Sequence, residues 1–270
     1  ILTRSGKLQP KYRDKINLIT QPYLNTEYLG FKMDDNDKNN PLKDKRVRQA
    51  INYGFSREKM IKYMRNNIGY PGEFGIIPMG LAGFDSTSKA YDYNPEKSKQ
   101  LLAQAGYPNG EGMQEITLST TATYLDLCKY IQQQLGLLGI KVKIDVNPPA
   151  ALREHIAQGK TQWFRGSWIA DYADAENYLS LFYSKNHCPK GSNYTHFSSK
   201  EYDKLYEKAI LETDYEKRIA LYKKMNDIII EESPIVVLYY DQVLRFVQKN
   251  ISGFESNPLN LLILKNVNKD

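Results

Sequence analysis

The sequence predicts an α/β fold, because segments with strand patterns alternate with amphipathic helices along most of the chain. The clearest signal is a strand at Glu115–Thr121, followed by a helix that ends near Leu138 and a second strand at Ile140–Val146. This order is typical of a sheet with parallel strands. Further strands are expected at Tyr23–Met33, Thr161–Ile169 and Ile235–Tyr240.

Several helices are marked by residues that favour helix starts. Asp44, Ser56 and Asn94 each precede a helical pattern, and their side chains can accept hydrogen bonds from free backbone N–H groups. Pro95 suits the first turn of the third of these helices. The other helices are expected at Ala150–Gln158, Ala175–Tyr183, Glu201–Glu212 and Tyr215–Glu232, and polar loops at Asp34–Pro41 and Ser184–Phe197.

The helix after Asp44 carries two arginines close to its predicted buried face. Val47 and Ile51 recur at helical spacing and define that face, whereas Arg46 and Arg48 fall to its sides. We expect these arginines to belong to a salt-bridged scaffold rather than to contact a ligand.

Composition narrows the class of function. The net charge of +6 over 270 residues is spread along the chain, which disfavours a nucleic-acid-binding surface. The 21 tyrosines suit a hydrated binding surface, because each combines apolar area with a polar tip. Two cysteines define no disulfide framework; Cys128 is expected to be a small buried apolar residue and Cys188 to be free.

The stretch Phe164–Tyr178 is the strongest candidate for a binding site. Its predicted strand ends in Trp168 and Ile169, and Asp171 follows directly. A carboxylate at the end of a strand beside a large aromatic surface can receive a cationic group, such as an amine, in a partly desolvated cleft. The alternative is an acidic loop in which Asp174 caps the next helix.

A hydroxyl-rich turn at Ser119–Thr123 is a second candidate wall of the site. It follows a predicted parallel strand, and ligands of α/β sheets usually bind at the carboxyl ends of such strands. Thr120 and Thr121 are the residues we select from it. The alternative is that this turn only caps the next helix.

Other chemistries find little support in the sequence. His187, Cys188 and His196 share one loop, but their spacing is unlike that of zinc sites. Asp171 and Asp174 could imitate the carboxylate pair of a glycosidase, but nothing in the sequence places both at the same substrate bond. No phosphate-binding loop or nucleophile elbow is present. We therefore expect no enzyme activity, no cofactor and no resident metal.

Five segments together carry a resemblance to a known family. They are Asp44–Met60 (DKRVRQAINYGFSREKM), Tyr93–Ser98, Leu101–Tyr107, Phe164–Tyr178 (FRGSWIADYADAENY) and Tyr202–Leu205. In this order they resemble the extracytoplasmic solute-binding proteins, family 5, of peptide ABC importers. The similarity runs from about Tyr28 to about Glu255. Because members of the family are about twice as long, the chain looks like the C-terminal half of one.

The resemblance implies a fold, a division of the chain and a location. The fold would be a periplasmic-binding-protein-like lobe (type II, cluster C) with a mixed sheet flanked by helices. Residues 1–27 would cross over from a first lobe, residues 28–240 would form the ligand-binding lobe, and residues 241–270 would return toward the first lobe. The protein would act in the periplasm or on the outer face of the membrane, with a permease as partner and a lipid anchor in a preceding segment.

The resemblance also implies roles for individual residues. Asp171 matches the carboxylate that receives the α-ammonium group of the ligand, and Arg165 matches an arginine that in some oligopeptide binders meets the peptide carboxylate. The strand between them would lend backbone groups to an extended peptide. The remaining candidate ligand-binding residues are Ser167, Trp168, Ile169, Tyr172, Thr120, Thr121, Asn193 and Tyr194.

One departure from the family bears on the ligand. The turn Ser119–Thr123 has no arginine, unlike the corresponding turn of dipeptide binders, so longer peptides are favoured over a tightly clamped dipeptide. Two alternatives remain open at this point. The cargo could be a nickel chelate or a sugar, or the chain could belong to a sensor or regulator that reuses the fold.

Overall fold

A computed structural model describes residues 1–34, 37, 39–87 and 90–269, and its centre is a mixed sheet. The strands are β1 (Ile16–Phe31), β2 (Tyr70–Pro71), β3 (Ile116–Thr120), β4 (Val142–Val146), β5 (Trp163–Ile169) and β6 (Ile235–Gln248). Their order across the sheet is β2-β6-β1-β5-β3-β4. A small separate ribbon joins β7 (Ile251–Ser252) to β8 (Asn268–Lys269). The expected mixed sheet is confirmed.

Strand directions bring three strand ends to one edge of the sheet. Strand β3 is parallel to β4, with Ile116 opposite Val142, and parallel to β5, with Leu118 opposite Trp163. Strand β5 is antiparallel to β1, which is antiparallel to β6. The carboxyl ends of β3, β4 and β5 therefore meet at the same edge, where the loops that follow them can form a binding site.

Helices cover the sheet. They are α1 (Lys45–Tyr53), α2 (Arg57–Met64), α3 (Pro95–Gln104), α4 (Leu125–Gly136), α5 (Pro149–Ala157), α6 (Glu176–Leu179), α7 (Lys200–Leu211) and α8 (Tyr215–Glu232). The predicted caps are confirmed, because the side chains of Asp44, Ser56 and Asn94 accept hydrogen bonds from backbone N–H groups at the starts of α1, α2 and α3.

The sheet is buried on both faces. Trp163 and Phe164 are neighbours on β5, and side chains of successive strand residues point to opposite faces. Both are almost fully buried, Trp163 in a cluster with Leu29 and Phe164 in another with Tyr28. Burial on both faces explains why β5 begins as a continuous apolar run rather than an alternating one.

Arg48 corrects an expectation from the sequence. Only 2% of this residue is exposed, and its guanidinium donates to the carbonyl groups of Leu42, Lys43, Glu232 and Ser233 at 2.8–3.0 Å. Burial lowers the pKa of Arg48 to about 10. Arg48 is therefore part of the scaffold, as expected, but it lies inside and binds carbonyl groups rather than a carboxylate.

Strands β1 and β6 are longer than the sequence suggested. Strand β1 begins at Ile16 instead of Tyr23, and β6 continues to Gln248 instead of ending at Tyr240. Their extensions pair with each other from Ile16 opposite Gln248 to Pro22 opposite Gln242. Apart from the buried Val243, these residues are partly buried or exposed, and their sequence lacks the regular apolar alternation that reveals a strand.

The predicted division of the chain at residues 27 and 240 stays a prediction. Both boundaries fall inside strands, the first in β1 and the second in β6.

The loop predicted at Asp34–Pro41 lies partly outside the described residues, because the structure does not describe Asp35, Asn36 or Lys38; it also leaves out Ser88, Lys89 and Asp270. Among the residues it does describe, no helix has both the length and the apolar character needed to cross a membrane.

Candidate ligand-binding cleft

A cleft of about 610 Å³ lies at the edge where β3, β4 and β5 end. The turn after β3, helix α5 after β4, and strand β5 itself each contribute a wall. The lining residues are Tyr28, Thr121, Thr123, Tyr124, Pro149, Leu152, Arg153, Ile156, Ala157, Phe164, Arg165, Gly166, Ser167, Trp168 and Tyr194.

Strand β5 presents one unpaired backbone edge to this cleft. On the β3 side, the described pairing stops at Ser119 opposite Phe164, whereas on the β1 side it continues to Asn25 opposite Ile169. The β3-facing edge of residues 165–169 therefore has no strand partner in the described structure. An exposed strand edge of this kind can bind an extended peptide through main-chain hydrogen bonds.

Gly166 allows an aromatic wall to lie close to the strand. Tyr28 is opposite Gly166 in the β1–β5 register, and a Cβ atom at residue 166 would lie 2.9 Å from the Tyr28 ring. A side chain there would push the ring away. Glycine thus places Tyr28 against β5, where it lines the cleft with Phe164 and Trp168.

The expected neighbourhood of aromatic surface and carboxylate is present at the end of β5, and Asn177 organises it. The Asn177 Oδ1 accepts hydrogen bonds from the Trp168 indole at 2.8 Å and from the Asp171 backbone N–H at 3.1 Å. The Asn177 Nδ2 donates to the Asp171 carboxylate at 3.3 Å. Asn177 is itself 4% exposed, so it fixes Trp168 and Asp171 relative to each other.

Asp171 lies beyond the cleft lining and is exposed, so its carboxylate is not desolvated in this lobe alone. Asp174 accepts a hydrogen bond from the backbone N–H of Glu176 at 2.9 Å. The helix-start role considered for Asp174 is therefore found, while Asp171 keeps an exposed carboxylate with one weak partner.

Arg165 has a counterion inside the protein. Its guanidinium forms an ion pair with Glu27, whose side chain is 5% exposed, and lies over the Tyr124 ring with 3.3 Å between the guanidinium carbon and the ring centroid. Asn25 donates to the other Glu27 oxygen at 3.0 Å. Burial lowers the pKa of Arg165 to about 10. A ligand carboxylate would have to compete with Glu27 for this arginine.

The ten predicted site residues fall into three groups. Those that line the cleft are Thr121, Arg165, Ser167, Trp168 and Tyr194. Those that are exposed just beyond it are Ile169, Asp171 and Tyr172. Those whose side chains are fully buried are Thr120 and Asn193.

The structure does not bring Thr120 or Asn193 to the cleft. Thr120 packs beside Cys128, where burial raises the pKa of the thiol to about 11. Asn193 donates to the carbonyl groups of Tyr183 and Phe197 at 3.1 and 3.0 Å, and its Oδ1 accepts from Thr195 at 3.0 Å. Asn193 thus holds its loop together. Its neighbour Tyr194 reaches the cleft.

A separate cavity of about 700 Å³ lies next to the loop that contains the three residues considered for metal binding. The His196 Nδ1–H donates a hydrogen bond to the Asp34 carboxylate at 2.6 Å, and its Nε2 lies 3.0 Å from the Cys188 sulfur. Its ring stacks on His187. Neither cysteine forms a disulfide, and within the described residues no group of three or more His, Cys, Asp or Glu side chains is arranged to hold a metal ion.

Sequence reasoning missed three residues that shape the site. Glu27 and Asn177 are polar residues buried within elements, and Arg153 stands on an amphipathic helix. No local pattern marks the first two, since their partners come from the fold. Arg153 could have been found, because it shares the apolar stripe of α5 with Leu152 and Ile156.

Known proteins match nearly the whole chain. The dipeptide-binding protein of Escherichia coli (strain K12) is 27% identical over 261 residues, which are 95% of this chain and 48% of that protein. The glutathione-binding protein GsiB of the same strain is 30% identical over 250 residues, 90% of this chain and 48% of that protein. The chain thus spans about half the length of the curated relatives it matches.

Solved structures show the same fold. The periplasmic binding protein DppA from Helicobacter pylori, in complex with the peptide STSA, superposes with a TM-score of 0.80 at 27% identity, over 96% of this chain and 49% of that one. The family of bacterial extracellular solute-binding proteins, family 5 Middle, matches residues 3–189. The chain therefore belongs to family 5 of the bacterial extracellular solute-binding proteins.

Proposed function

We propose that the protein is the substrate-binding component of a peptide ABC importer and captures oligopeptides between this lobe and a second one. The observation that carries the proposal is the unpaired edge of β5 at residues 165–169, which ends beside Trp168 and the exposed Asp171 carboxylate. The likeness to the Escherichia coli dipeptide-binding protein and to the peptide-bound Helicobacter pylori structure supports it.

Each part of the peptide would meet a different part of the site. The Asp171 carboxylate would bind the α-ammonium group, and the free edge of β5 would bind the peptide backbone. Tyr28, Tyr124 and Tyr194 would form the walls. Because backbone groups would supply much of the binding, side chains of many kinds would be accepted in hydrated pockets.

A second lobe would complete the site by closing over it. Hinge closure around a ligand is common in two-lobed binding proteins. Closure would remove water from Asp171, which is exposed here, and an ion pair strengthens as the local dielectric constant falls. The absence of an arginine from residues 119–123 favours peptides longer than two residues.

The proposal extends to partners and location. A permease would receive the ligand-loaded protein outside the cytoplasmic membrane, in the periplasm or on its outer face. A lipid anchor in a segment before this chain remains a prediction. Neither nucleic acid nor a cofactor has a role in this proposal.

Calorimetric titration of the protein at its natural length tests the proposal. Three ligands are titrated separately: a mixture of tri- to pentapeptides, a nickel chelate and a sugar. We expect the peptides to bind and Asp171→Ala to weaken their binding strongly, whereas Asp126→Asn, outside the cleft lining, should bind as the wild type does. Binding of only the chelate or the sugar would overturn the peptide assignment and leave the fold assignment intact.

A further inference from the structure

The charges that line the cleft are all positive. Among its described lining residues, arginines are the only charged side chains, at positions 153 and 165, and no Asp or Glu is present. The other polar side chains are the Trp168 indole, which already donates to Asn177, and the hydroxyls of Thr121, Thr123, Ser167 and three tyrosines, which can donate hydrogen bonds. A cleft with this lining attracts an anionic group.

The two arginines differ in what they already bind. Arg165 is paired with the buried Glu27, so its charge is compensated within the lobe. Arg153 is exposed and, within the described residues, has neither an ion pair nor a hydrogen bond. Arg153 is therefore the uncompensated cation of the cleft.

Helix α5 directs Arg153 toward the cleft. Pro149, Leu152, Arg153, Ile156 and Ala157 all line it, and their spacing of three or four residues places them on one face of the helix. Leu152 and Ile156 anchor that face, being 4% and 8% exposed. The neighbouring Glu154 lies off this face and accepts a hydrogen bond from Gln158.

We infer that Arg153 is a specificity-determining residue that receives a carboxylate of the ligand, so that the cleft selects peptides carrying this group. The inference rests on the proposed function and assigns the acidic end of the ligand to α5 rather than to Arg165. The planar guanidinium can form two parallel hydrogen bonds with a carboxylate, a geometry that a lysine cannot reproduce. The opposite charge, the α-ammonium group, would lie at Asp171 beyond the cleft.

The carboxylate could come from the C-terminus of the peptide or from an acidic side chain. Four tetrapeptides with free amino groups separate these sources: one with a glutamate, its glutamine counterpart, and the C-terminal amide of each. Each is titrated into the wild type, Arg153→Ala, Arg153→Lys and Lys160→Ala at the natural length of the protein. Lys160→Ala is the matched control, because it removes the same charge from an exposed residue that does not line the cleft.

We expect the wild type to bind at least one carboxylate-bearing peptide about ten- to hundredfold more tightly than the peptide that lacks that group, a range set by hydrogen bonds to charged groups. Arg153→Ala should lose this preference, Arg153→Lys should keep part of it, and Lys160→Ala should keep all of it. If replacing glutamate by glutamine in the peptide abolishes the preference, the carboxylate is that of the side chain. If amidation of the C-terminus abolishes it, the carboxylate is that of the C-terminus. Equal preferences in Arg153→Ala and the wild type would overturn the inference while leaving peptide binding in place.

If the wild type binds no peptide, the proposed function fails and citrate provides the separate readout. In a low-salt thermal-shift experiment, citrate should stabilise the wild type and Lys160→Ala but not Arg153→Ala if Arg153 binds carboxylates. Equal stabilisation of all three proteins, or of none, would overturn the inference.

Discussion

Arg165 and Glu27 form an ion pair across the paired strands β5 and β1, and this pair lies at the wall of the candidate cleft. The pair compensates the charge of the arginine that family resemblance assigns to the peptide carboxylate. Asn25 extends the cluster by donating to Glu27 and, at 3.4 Å, to Asp241 of β6. The cleft wall is thus linked to the two longest strands of the sheet.

Glu27→Gln should destabilise the protein and release Arg165. Removing one partner of a buried ion pair leaves the other charge uncompensated, and we expect the free energy of unfolding to fall by about 3 kcal/mol or more. Urea unfolding measures this change, with the exposed Glu115→Gln as control. At the same time, peptides with a free C-terminal carboxylate should bind Glu27→Gln more tightly than the wild type. Unchanged stability would mean that the pair contributes little to the fold.

Asn177→Ala should weaken peptide binding without changing any residue of the cleft lining. The substitution removes the hydrogen bonds that hold the Trp168 indole and the Asp171 backbone, so both groups lose their fixed positions. We expect a loss of about 1–3 kcal/mol in stability and weaker peptide binding, measured by urea unfolding and by calorimetry. Asn147→Ala, whose amide bonds only Asp145, is the control; equal effects of the two substitutions would argue against the positioning role.

Arg48→Met should destabilise the lobe strongly although Arg48 does not line the cleft. Methionine has a similar apolar length but leaves four carbonyl groups without this donor, and those of Leu42 and Ser233 are buried. Each unsatisfied buried group costs about 1–3 kcal/mol, so the midpoint of urea unfolding should fall sharply. Arg46→Met, on the exposed side of α1, should have a much smaller effect. A mild loss in Arg48→Met would show that water can replace the guanidinium.

Asp44 should make stability depend on pH in the acid range. Hydrogen bonds from Arg46 outweigh burial and lower the pKa of Asp44 below its usual 3.8. The folded state therefore binds a proton at Asp44 less tightly than the unfolded state does. The resulting stabilisation of the fold is complete above the pKa of Asp44 in the unfolded state and is lost as the pH falls through its pKa in the folded state. Asp44→Asn keeps a helix cap and should flatten this acid loss, whereas Asp44→Ala should lose about 1 kcal/mol at neutral pH. Parallel acid profiles for the wild type and Asp44→Asn would contradict the assignment.

Local signals explain what the sequence predicted correctly. The caps at Asp44, Ser56 and Asn94 act within one helical turn, and the strand–helix–strand series at 115–146 follows from spacing alone. The strand that carries Trp168 also lies where the apolar run indicated. Such features depend on neighbours in the sequence, so a single sequence reveals them.

Long-range pairing explains what the sequence could not give. Glu27 lies 138 residues from Arg165, and only the sheet register brings the two together. Arg48 fell at the side of a predicted helix face, but two of its four acceptors are the carbonyl groups of Glu232 and Ser233, 184 and 185 residues away. Asn193 was a candidate ligand-binding residue, but its amide donates to the carbonyl groups of Tyr183 and Phe197 and stabilises its own loop instead.

The amine anchor at Asp171 is the central claim, and N-terminal acetylation of the ligand tests it most directly. The measurement is a pair of calorimetric titrations of the natural-length wild type, with the same tetrapeptide bearing a free or an acetylated amino group. We expect acetylation to weaken binding by about tenfold or more, since it removes a charge-assisted hydrogen bond, and we expect Asp171→Asn to bind the two peptides equally. Equal binding of both peptides to the wild type would contradict the account.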